Sequence, residues 1–156
     1  MTDHDHSQCV RGALESAEAL CAGRGAKLTE LRRRVLELVW QSHRPVGAYD
    51  LLSRLAQGRE KAAPPTVYRA LDFLMEHGLV HKIHSLNAYV GCPAARDGHA
   101  APFLICSACG EATEFEDDAL QRDIERIGRA RGFRVEGQVI ELRGLCARCE
   151  AGAAHG

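Results

Sequence analysis

Apolar positions recur every three or four residues through the first half of the chain, and every second residue in two short stretches near its middle. Val10, Leu14, Ala17 and Cys21 mark one face of a helix over about 7–22, stopped by Gly23 and Gly25. Leu31, Val35, Leu38 and Val39 form the stripe of a second helix over about 29–42, with Thr29 as its N-cap. Pro45 and Gly47 break the pattern, and Leu51, Leu52 and Leu55 define a short third helix over about 48–55. Pro64 and Pro65 open a fourth in TVYRALDFLMEHG, because the N–H that proline lacks is unbonded in a first turn anyway. Val67, Leu71, Leu74 and Met75 face inward there, and Gly78 supplies the stop. LVHKIHS and NAYVGC alternate and adjoin, which predicts a β-hairpin. Residues 1–7 are polar and are expected to be disordered.

The rhythm then breaks at PAARDGHAAP, a linker composition. Beyond it the pattern predicts a strand over 103–106, a CxxC turn, a strand over 112–116 and a helix over 117–131. Leu120, Ile124 and Ile127 share one face of that helix, and Gly132 ends it. A last strand, FRVEGQVIEL, leads to a second CxxC. Helices two to four followed by a hairpin are the pattern of a winged helix-turn-helix. The expected fold is therefore α+β: a winged-helix domain over 1–92, a linker over 93–102 and a small α/β domain over 103–156.

The chain has 156 residues, 46% of them apolar. No apolar run approaches the ~18 residues of a membrane span. The first residues, MTDHDHSQCV, are acidic where an export signal is basic and then apolar. A cytoplasmic protein is expected, with no membrane partner. Net charge is −1, but it is unevenly spread. Arg24 to Lys82 holds 11 basic and 6 acidic residues, whereas Pro93 onward holds 8 basic and 11 acidic ones. A basic first part beside an acidic second part predicts two modules with different partners.

Cys106 and Cys109 form one CxxC pair, and Cys146 and Cys149 another. Two such turns can close a four-thiolate shell around one zinc ion, with Zn–S near ~2.3 Å. The 36 residues between them exceed the usual ribbon spacing, but they hold a strand, a helix and a strand that can bring the ends together. The alternative is two independent redox pairs, which would need an exposed cysteine of low pKa.

His81, Cys92, His99 and Glu114 are a second candidate set, on the hairpin, in the linker and in the second module. Their N, S, N and O donors suit Zn²⁺ better than Mg²⁺ or Ca²⁺. Each also has a plainer reading: a solvated histidine, a small buried thiol, or one carboxylate among Glu111, Glu116, Asp117 and Asp118. Four protein ligands leave no open position for a catalytic water, and the chain has no HExxH, phosphate loop or nucleophile elbow, so no enzyme is expected. His77 fits a helix C-terminus, and strand parity puts His84 on the opposite hairpin face from His81.

On the fourth helix, Thr66, Tyr68 and Arg69 occupy the polar side near the N-terminus, where a recognition helix reads base edges. The plain alternative is a solvated face. Lys27, Arg32, Arg33 and Arg34 are candidates for phosphate contacts.

LTELRRRVLELV, AYDLLSRL, PPTVYRALDFLMEHGLVHKI, YVGC, FLICSACG and GLCARC together resemble the ferric uptake regulator family, and within it the zinc uptake regulator branch. The resemblance runs from about residue 8 to 150. It implies a winged-helix DNA-binding domain hinged to an α/β dimerisation domain. It further implies structural zinc at Cys106, Cys109, Cys146 and Cys149, and regulatory zinc at His81, Cys92, His99 and Glu114, two ions per chain. It also implies DNA contacts from Tyr49 and Arg69. The iron-sensing relatives' His-rich run before the first CxxC is reduced here to His99 in RDGHAAPFLIC, and Cys92 adds a sulfur donor. The expectation is a homodimeric, zinc-responsive repressor of zinc-uptake genes on a palindromic double-stranded operator, with no small organic substrate. A sibling sensing iron or manganese, or a CxxC redox protein, is the alternative.

Overall fold

The computed structural model describes residues 6–42, 44–58, 62–93 and 101–153. The chain divides into two units, Met1–His99 and Ala100–Gly156. Most of the expected linker, 94–100, lies outside the described residues.

The first unit runs α1 (His6–Gly23), α2 (Glu30–Trp40), β1 (Val46–Gly47), α3 (Ala48–Gln57), α4 (Pro64–Glu76), β2 (Val80–Ile83) and β3 (Ala88–Gly91). Thr29 caps α2 by accepting the Arg32 backbone N–H at 3.3 Å. Gly78, at φ +67°, ends α4: its N–H and that of Leu79 turn back to the carbonyls of Met75 and Leu74. The apolar stripes meet in one core, in which Ala17, Val35, Val39, Leu51 and Leu74 are fully enclosed. Leu74→Ala is expected to cost about 2–5 kcal/mol of unfolding free energy, read from the urea midpoint.

Three details differ from the sequence expectation. Helix α1 begins at His6, inside the stretch expected to be disordered, because a helix anchored by Leu14 and Ala17 extends back at little cost per residue. Val46 and Gly47 form a short strand, not a plain break, through pairing with Tyr89 and Ala88. The resulting sheet has the order β1-β3-β2 and is antiparallel throughout. The hairpin closes through a 3₁₀ turn, His84–Leu86, with Asn87 left-handed at φ 46°. His84 therefore lies off the strand, and parity does not assign its face.

The second unit holds β4 (Phe103–Cys106), β5 (Ala112–Glu114), α5 (Asp118–Ala130), β6 (Glu141–Gly144) and α6 (Ala147–Ala153). Asp117 caps α5 by accepting the Leu120 N–H at 2.9 Å. Strand β4 lies between antiparallel β5 and parallel β6. The long last strand expected over 133–142 is a correction: only Glu141–Gly144 is strand. Strand β4 offers four pairing positions, and among the described residues 133–140 forms no ladder, though the Ile140 carbonyl accepts the Phe103 N–H at 3.0 Å. Phe133 and Val139 there are 66% and 62% exposed. Among the described residues, no helix is long and apolar enough to cross a membrane.

Candidate metal centres and nucleic-acid interface

Cys106 is the last residue of β4, and its parallel partner on β6 is Gly144. Both strands thus deliver their following loops to the same end of the sheet. Cys109 and Gly110 complete one turn, with Gly110 at φ +75°, while Cys146 and Cys149 sit at the start of α6. The four sulfurs all lie within 4.8 Å of one another. A zinc tetrahedron with ~2.3 Å bonds has edges of about 3.8 Å, so the four thiols fit the ion.

Their electrostatics agree with that fit. The Cys146 N–H donates to the Cys106 sulfur at 3.4 Å. Backbone donors from Cys109 and then Cys146 hold the Cys106 thiol down at about 6. Hydrogen bonds with the neighbouring sulfurs, Cys146 first, push Cys149 up to about 12. Four clustered thiols cannot all ionise without a cation; a zinc ion there would supply that charge and a closed staple. Arg148, between the second pair, was not singled out in the sequence. It bonds Glu111 at 2.5 Å and faces the cysteine charges, offsetting the negative formal charge of a four-thiolate zinc site. The cation inside CARC was the available signal.

In the first unit, β2 and β3 pair His81 with Val90. Cys92 is two residues further along, hence on the same face and diagonal to His81. The His81 ring nitrogen and the Cys92 sulfur lie within 4.8 Å. Cys92 is buried, and its N–H donates to the Leu79 carbonyl at 3.0 Å. Glu114 belongs to the second unit, half-buried and opposite Phe103 on β5. Two rival carboxylates are engaged elsewhere, Glu111 with Arg148 and Asp117 as the α5 cap. His99 lies outside the described residues.

Thr66, Tyr68 and Arg69 are exposed on α4, while Val67, Ala70 and Leu71 are buried behind them. Tyr49, in the first turn of α3, is 83% exposed. The basic run of α2 is less available. Arg32 bonds the Lys27 carbonyl at 2.6 Å and stacks on Phe73, Arg33 pairs with Glu18, and Arg34 pairs with Glu37. His77 is structural: its Nδ1 lies 2.9 Å from the Phe73 carbonyl and its ring packs on Phe73. Cys21 is a core residue whose thiol is pushed up by burial.

A profile of the ferric uptake regulator family matches residues 23–143. The zinc uptake regulation protein of Escherichia coli K12 is 41% identical over 137 residues, spanning 87% of this chain and 80% of that protein. The chain belongs to the ferric uptake regulator family. Two solved family members share its structure. A zinc uptake regulator complexed with zinc and DNA aligns at TM-score 0.87 and 39% identity, covering 93% of this chain and 97% of the other. Holo XcZur aligns at 0.82 and 45%, covering 88% and 96%. Within that fold, this chain has an exposed face of α4 in one unit and clustered thiols in the other.

Proposed function

We propose that this chain is a zinc-responsive, DNA-binding repressor of zinc-uptake genes. The observation that carries the reading is His81 and Cys92, side by side on the hairpin of the unit that bears the exposed face of α4. One zinc, at Cys106, Cys109, Cys146 and Cys149, is structural. A second, held by His81, Cys92, His99 and Glu114, is the signal, and it ties hairpin, linker and second unit together. The protein works as a cytoplasmic homodimer that sets two α4 helices on a palindromic operator. Support for a dimer lies in Ile127, Phe133, Val139 and Leu142 of the second unit, all large, apolar and exposed. Related proteins named as zinc uptake regulators support the choice of metal. No reaction is assigned, since neither ligand set reserves a position for substrate or water.

The test is operator affinity, on a promoter fragment selected by the zinc-loaded protein, titrated against buffered Zn²⁺, Fe²⁺ and Mn²⁺ with metal counted per chain. Zinc alone should tighten binding, at two ions per chain. Tightening by iron or manganese at their cellular levels would mark a sibling sensor, and indifference to every metal would refute the reading. Arg69→Ala is expected to lower specific affinity by about 1–3 kcal/mol while leaving nonspecific binding nearly intact. An equal loss on all DNA would make Arg69 a phosphate contact.

A further inference from the structure

Trp40 is the only tryptophan of the chain, and it closes α2. Its indole occupies the space where a side chain at Gly91 would stand. A Cβ built there overlaps Cε2, Nε1 and Cδ2 of the ring, all inside the 3.0 Å that real Cβ contacts respect. Gly91 is not among the positive-φ glycines. Space, not backbone conformation, therefore demands glycine. Gly91 is the last residue of β3 and directly precedes Cys92. Trp40 and Cys92 also line one cavity of about 520 Å³, together with Leu20, Leu36, Leu79 and Pro93.

The geometry points to Trp40 as a positioning residue for the Cys92 sulfur, with Gly91 as the gap that admits it. The indole seats the end of β3 and so fixes Cys92 diagonal to His81. Because α2 also packs on α4, the ring connects a metal ligand to the helix pair that carries the recognition face. The inference rests on the proposed role of Cys92 as a ligand of the second zinc.

The test is zinc competition against a chromophoric chelator on the full chain, with tryptophan emission followed in parallel. Gly91→Ala should weaken the second zinc by about tenfold and leave the first unchanged, as expected for a residue that orients a ligand. Trp40→Ala should weaken it as well. The double variant should bind no worse than Trp40→Ala alone, because the overlap has gone. In the parent, emission should change on the second equivalent and not on the first, a signature that a purely structural tryptophan would not give. Parent-like affinity in Gly91→Ala, strictly additive losses in the double variant, or emission indifferent to the second zinc would each overturn the assignment. Should Gly91→Ala fail to fold, the other two variants decide: equal and weakened affinities support it, and parent-like affinities sink it. Cys92→Ser separates the levels. If it binds the second zinc normally, the ligand reading fails and the positioning role with it. If it loses that zinc while Gly91→Ala does not, only the positioning role fails.

Discussion

A chain carrying Cys106→Ser is expected to lose the proposed structural zinc and, with it, the fold of the second unit. That unit has little else to hold it. Its described buried residues are Pro102, Phe103, Ile105, Cys106 and Gly128, against some twenty apolar residues buried in the first unit. Its sheet is four residues long at most, and α5 leaves Ile127 44% exposed. Apparent zinc affinities of structural four-ligand sites amount to about 10–16 kcal/mol, more than such a core supplies. Serine removes the sulfur whose ionisation the Cys109 and Cys146 amides favour. The expected result is loss of the chelator-resistant zinc, loss of far-UV ellipticity from α5 and loss of the proposed dimer in sedimentation. The first unit, with its own core, should keep a cooperative urea transition. A Cys106→Ser dimer that retained both ions and native ellipticity would rule out the staple.

The two units differ in how plainly the sequence announces them. Helices α2 and α4 follow from apolar spacing plus a local stop or start: Thr29 for one, Pro64 and Gly78 for the other. Strand β1 was invisible because two residues carry no period; it exists only through Tyr89 and Ala88, some forty residues away. The stretch 133–140 failed in the opposite sense. It has the composition of a strand but forms no ladder among the described residues, and a strand is a property of a pair. The four cysteines were legible from spacing. Their closure was not, since it depends on β4 and β6 running parallel and ending together. His81 and Cys92 were legible as residue types, but their shared face depends on a register set by a 3₁₀ turn and the left-handed Asn87. The seating of Trp40 in the space left by Gly91 links residues 51 positions apart, and no local pattern could signal it.

Cys92→Ser is the second large effect, and it should act on regulation without touching the fold. Serine is close to cysteine in volume, and the Cys92 backbone N–H keeps its bond to Leu79. What disappears is a soft sulfur donor, replaced by a hydroxyl that stays protonated at neutral pH and binds zinc poorly. The variant should hold one zinc per chain, unfold at nearly the parent urea concentration and lose the zinc-dependent gain in operator affinity. Coupling between two sites is typically ~1–3 kcal/mol, so the parent gain should be about 5–150-fold and the variant gain near unity. Reciprocity supplies a check on the same samples: operator DNA should tighten the second zinc of the parent by that same factor and do nothing for the variant. Glu114→Gln then decides whether the second unit takes part. If it lowers the coupling as Cys92→Ser does, the ion joins the two units. If it leaves coupling intact while Cys92→Ser abolishes it, the hairpin holds the signalling zinc without the second unit, and a hinge lock cannot be how metal reaches the DNA.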